Sequence, residues 1–149
     1  RINNITAITN KGLRMDKKYK DKIHEAQVPL YGIYVYYSND SDLLADMYEV
    51  DAPTSFKGFC CLDHEKGNVG IHVPHDNGNI AIPTLGHEVF HAAMFIGEIV
   101  GLEPTLSANE EIAYIITWLT GWVMDCVDKD CKRDEKCRAS KKALQQEKP

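Results

Sequence analysis

From Ile80 to Val127 the chain reads as two helices separated by a short break, and this pair constrains everything else the chain can form. Thr84 is read as an N-cap, because its hydroxyl can accept an unpaired backbone N–H of the first turn. Apolar residues then recur to about Ile99, and Gly101 and Pro104 stop the helix. A second helix is expected from about Ser107 to Val127. Its apolar stretch, Ile112 to Met124, contains Thr and Gly and is followed by Asp125. It is too short for the roughly 20 residues a bilayer span needs, so it is read as a buried helix with no membrane association. Two apolar helices of this kind require a second layer to cover them.

That layer is legible upstream. Tyr31 to Tyr37 (YGIYVYY) has the β-branched and aromatic content of a strand, and the turn cluster Ser38 to Ser41 can cap a short helix over Asp42 to Met47. Phe56 to Asp63 and Val69 to Pro74 flank Glu65-Lys66-Gly67-Asn68, which is hairpin turn chemistry. A second loop, Asp76 to Asn79, leads through Ile80 to Ile82 into the first long helix. The expected fold is α+β, with a small mixed or antiparallel sheet packed on the two helices. The length of 149 residues fits one domain, placed at 28–127. A basic segment, 1–27, precedes it, with a short surface helix expected over Asp16 to Gln27 and ended by Pro29. A charged tail, 128–149, follows.

Charge is sorted along this plan. Residues 1–27 carry seven bases and three acids, residues 125–149 carry eight and six, and residues 28–124 hold only Lys57 and Lys66 against thirteen carboxylates. A net charge of -11 in the middle works against phosphate contacts, so direct nucleic-acid binding is not expected, and a cationic polypeptide would suit it better. Five cysteines, with no N-terminal apolar run and small-residue cleavage site, read as free thiols of a reducing, cytoplasmic setting. Cys126, Cys131 and Cys137 lack the CxxC spacing of a zinc ribbon, and Cys60 and Cys61 must point to opposite faces of their strand.

The chemistry lies in His87-Glu88-Val89-Phe90-His91. Residues i and i+4 share one helix face, so two imidazoles at this spacing can hold one metal ion, while Glu88 on the flank can take a proton from a metal-activated water. The bland alternative is a solvated helix face. The apolar neighbours Val89, Phe90, Ala92, Ala93, Phe95 and Ile96 speak against it, because polar groups in such surroundings need partners. A metzincin continuation is excluded, since Met94 and Gly97 stand where Gly and His would be required. Glu98 is also excluded as a ligand, because seven residues of helix rise roughly 10 Å.

A third ligand is therefore sought in Asn109-Glu110-Glu111, with eighteen residues between His91 and Glu110. This pattern resembles the gluzincin metallopeptidases, in which HExxH is followed by a Glu ligand on a neighbouring helix. With Ala113, Glu110 also looks like the ExxA form of the very small gluzincins of phages and bacteria, including repressor-cleaving peptidases of mobile elements. The resemblance covers about Ile80 to Thr117. It implies a zincin-like domain, a Zn2+ ion on His87, His91 and Glu110, and Glu88 as general base. It further implies a peptide lying along a sheet edge, at Val69 to Pro74 or Ile80 to Ile82. Glu110 also fits a capping box with Ser107. Glu110 lines up with Ala113, Tyr114, Thr117 and Gly121, whose small residues would let the helices approach, whereas Glu111 lines up with Ile115, Trp118 and Trp122. Packing thus favours Glu110, with Glu111 as the fallback. Tyr114, His72 and His75 are the candidates for stabilising the oxyanion.

The function expected is zinc-assisted peptide hydrolysis by a cytoplasmic, phage-type protein. The competing expectation is a non-catalytic binding or inhibitor protein on the same scaffold, an acidic decoy or phage counter-defence factor.

Overall fold

The computed structural model describes residues 19–53, 57–103, 105 and 108–146, with side chains to 136. The expectations for Asp16 to Lys18, Phe56, Pro104, Ser107 and the Cys137 side chain lie outside the described residues. The fold is α+β, with three helices and a mixed four-stranded sheet in the order β1-β2-β4-β3. The strands are β1 (His24–Gln27), β2 (Tyr34–Ser38), β3 (Phe59–Asp63) and β4 (Asn68–His72). β1 and β2 are antiparallel, β2 and β4 parallel, and β3 and β4 form the expected hairpin. A two-stranded ribbon, β5 (His75–Asp76) and β6 (Asn79–Ile80), leads into the long helices.

The sheet is covered on both faces. Val35 and Tyr37 of β2 and Val69 and Ile71 of β4 pack against α2 (Ile82–Val100) and α3 (Asn109–Gln146). Tyr36 points the other way, to Leu44 of α1 (Ser41–Tyr48) and to Tyr19 and Ile23. Strands buried on both sides carry continuous apolar runs rather than alternation, which explains the YGIYVYY sequence. Val35, Tyr36 and Tyr37 are all fully buried, and each such side chain contributes about 1.5–3 kcal/mol by leaving water. Asp40 caps α1, accepting the Leu43 N–H at 3.2 Å.

Four boundaries differ from expectation. The basic N-terminal segment places strand β1, not helix, at His24–Gln27, because pairing with β2 and packing beneath α3 outweigh its helix-like polar pattern. The loop 28–33 occupies the start of the expected strand, closed by Val28 N–H to Ile33 O at 2.8 Å and Gly32 N–H to Val28 O at 2.9 Å. α2 starts at Ile82 with Ala81 as its cap, and Thr84 lies inside the first turn. Pro83 explains the earlier start, since a proline in the first turn needs no N–H partner. Finally, α3 does not stop at Val127 but runs on to Gln146, 38 residues in all. Its apolar stripe ends where the domain ends. The continuation contains no Gly or Pro and consists of good helix formers with i,i+3 and i,i+4 pairs such as Asp130–Arg133 and Asp128–Lys132.

Candidate functional site

The buried stripe of α2 is Leu85, Val89, Ala92, Ala93, Ile96 and Gly97. His87 and His91 lie on the opposite side and are exposed. Their rings meet edge to face with centroids 4.6 Å apart, and the two Nε2 atoms are 3.1 Å apart. As it stands this is one Nε2–H to Nε2 hydrogen bond. It is also close to the spacing of about 3.3 Å that two Zn–N bonds of 2.0–2.1 Å subtend at a tetrahedral ion. The pair therefore fits one metal ion through Nε2 of each ring.

Glu88 sits on the flank of α2 that faces the edge strand β3 and is only 6% exposed. The Cys60 thiol donates to the Glu88 backbone carbonyl at 3.6 Å. Gly58, just before β3, closes over the side chain: a Cβ there would stand 2.6 Å from Glu88 Cγ, 2.8 Å from His72 O and 2.9 Å from Thr84 Cγ2. Burial pushes the Glu88 carboxyl above the usual carboxylate range, against the opposing pull of His87 and His91. A carboxylate held in this way is a better proton acceptor than a solvated one. Lys57, Gly58, Pro83, Thr84, His87 and Glu88 line a cleft of about 420 Å³. A larger hollow of about 620 Å³ lies at the same edge strand toward the end of α1 and holds none of the expected site residues.

The expected third ligand is not gathered here. Ile112, next to Glu110 and Glu111, packs at the level of Gly97, whose Cβ position is 3.1 Å from Ile112 Cδ1. That level is six residues past His91, roughly 9 Å of helix rise. Among the described residues no three His, Cys, Asp or Glu side chains form a group able to hold a metal ion. The packing argument for Glu110 is also reversed. Glu110, Ala113, Tyr114, Thr117 and Gly121 are all exposed, and a Cβ at Gly121 would meet nothing within 4 Å. Ile115 is buried and Trp118 and Trp122 pack against the core. The indoles stack on each other, and Trp122 meets Tyr37 edge to face. Aromatic residues provided the packing surface because their burial outweighs the closer approach that small residues would allow.

None of the three oxyanion candidates lies beside the histidine pair. His72 projects from the α1 face of the sheet, where its Nδ1 is 2.9 Å from Ser38 O and its ring lies against Phe59. Burial lowers its pKa, so it is neutral. His75 packs beneath α3, with Nε2 3.5 Å from Asp130 Oδ2 and neither ring nitrogen hydrogen-bonded. Tyr114 is 40% exposed on the outward side of α3. The substrate edge also moves: β4 is an interior strand and Asn79–Ile80 is paired in the ribbon, so β3 is the sheet edge beside α2. Sequence reasoning gave Lys57 and Gly58 no part in the site. Their only visible signal was Lys57 as one of two bases in an acidic segment.

Cys60 and Cys61 do point to opposite faces, toward α2 and α1 respectively, and with Cys126 and Cys131 they are free thiols. None of the described helices is long and apolar enough to cross a membrane. Comparison with family models, with curated proteins and with solved structures gives no match.

Proposed function

We propose that this chain is a zinc-dependent hydrolase of the HExxH metallopeptidase type, built on a zincin-like arrangement and acting on peptide bonds in the cytoplasm of a producing or infected cell. The observation that carries this reading is the convergence of His87 Nε2 and His91 Nε2 at 3.1 Å beside a buried Glu88. Both imidazoles would hold Zn2+, which when bound supplies the Lewis acidity that polarises an acyl carbonyl and acidifies water. Glu88 takes the proton from the attacking water and later delivers it to the leaving amine. Gly58 and Thr84 keep its side chain at the wall of the cleft, and the free edge of β3 gives an extended polypeptide a place to lie. Glu110, or Glu111 as fallback, completes a gluzincin ligand set only by moving from the level of Gly97.

The test is bound zinc and proteolysis in wild type and Glu88→Gln. The variant is expected to keep zinc and lose cleavage, and a native protein that takes up no zinc would refute the reading. A second reading, a binding or inhibitor protein on the same scaffold, is favoured by the ungathered third ligand among the described residues. Equal biological activity of wild type and Glu88→Gln would select it.

A further inference from the structure

The cleft beside Glu88 holds a cation for which hydrolysis has no stated use. Residues 28–124 contain two bases, Lys57 and Lys66, among thirteen carboxylates. Lys66 is engaged: its Nζ lies 2.9 Å from Asp63 Oδ2, and its backbone N–H donates to Asp63 Oδ1 at 2.9 Å. Lys57 is exposed, makes no ion pair among the described residues, and lines the same cleft as Thr84, His87 and Glu88. With thirteen acids in its own segment, it has been left without one at the place where substrate must enter.

We infer that Lys57 is a specificity residue that binds a carboxylate of the substrate, so that the cleft takes a peptide with an anionic group next to the scissile bond. The inference rests on the hydrolase reading and names its substrate class. It gives the cleft the opposite preference to the one that the net charge of the segment suggests, because a single ammonium at contact distance outweighs acids lying beyond the screening length. A free C-terminal carboxylate and an acidic side chain offer the same chemistry, and the experiment separates them.

The probes are acetylated alanine pentapeptides with Asp, Asn or Lys at the centre, each with a free or an amidated C-terminus. Binding is measured on zinc-loaded Glu88→Gln, which does not consume them, and hydrolysis on wild type. Carboxylate-bearing probes are expected to bind about fivefold tighter than their neutral counterparts, the size of a partly exposed ion pair. Combining Lys57→Ala with Glu88→Gln should abolish the preference, Lys57→Glu should turn it toward the Lys probe, and Lys57→Arg should keep it. In wild-type background Lys57→Ala should raise KM and leave kcat unchanged. A preference for Asp irrespective of the terminus identifies the side chain as the source, and dependence on the free terminus identifies the C-terminal carboxylate. The absence of any preference, or a preference that survives Lys57→Ala, overturns the inference. Failure of the hydrolase reading looks different: no probe is cleaved by wild type, while the binding preference and its loss in Lys57→Ala persist.

Discussion

Replacing Gly58 by Ala tests whether the wall of the cleft positions Glu88. The new Cβ would lie 2.6 Å from Glu88 Cγ and 2.8 Å from the carbonyl oxygen of His72. Ordinary carbon–carbon contact begins near 3.5 Å, so a gap of about 0.9 Å must open. The His72 carbonyl belongs to the paired strand β4 and yields little, so Glu88 is the group that moves. A misplacement of about 1 Å at a catalytic group costs on the order of 100-fold in rate, and overpacking costs about 1–3 kcal/mol of stability. The expected result is a loss of about 100-fold in kcat for peptide hydrolysis with zinc content unchanged, because His87 and His91 face away from Gly58. Zinc stoichiometry, steady-state hydrolysis and thermal unfolding are measured on the same preparations. If Gly58→Ala hydrolyses peptides as fast as wild type while Glu88→Gln is inactive, the positioning argument is wrong.

Three further expectations can be checked. Asp130 is buried, with His24 Nε2 and Arg133 Nη2 each 2.8 Å from Oδ1. Burial raises its pKa, but these donors and charges outweigh it and hold the carboxyl below its usual value. A depressed pKa stabilises the fold above about pH 4 and loses that contribution as pH falls through the folded-state value. Asp130→Asn should therefore cost about 2 kcal/mol at pH 7 in urea unfolding, with a gap from wild type that narrows below pH 4; a gap that widens there would contradict the linkage. Tyr37→Phe leaves the Val73 carbonyl without the hydroxyl that donates to it at 3.1 Å, and should lower stability by about 1 kcal/mol. Zinc affinity should fall at least tenfold in His87→Ala and His91→Ala and stay within about threefold in Glu110→Ala and Glu111→Ala. Loss of zinc in either Glu variant would mean that the first turn of α3 reaches the histidine pair.

What the sequence determined by itself is local. Hydrophobic periodicity marks α2 and α3, Gly67 and Asn68 mark the β3–β4 turn, and the i,i+4 spacing of His87 and His91 is enough to bring their Nε2 atoms together, because one helical turn is a rigid unit. The burial of Glu88 was not legible, since it depends on Gly58 arriving from another strand. Helix phase alone also misjudged which line of α3 packs. Spacing shows which residues share a face, and only the sheet beneath decides that Trp118 and Trp122 face inward and Glu110 outward. The same holds for His72 and His75, whose side chains are directed by strand alternation and by Asp130. The tertiary structure also assembled one cleft from Lys57, Thr84, His87 and Glu88, residues spread over thirty positions of sequence. Only long-range packing brings such separated side chains within reach of one substrate.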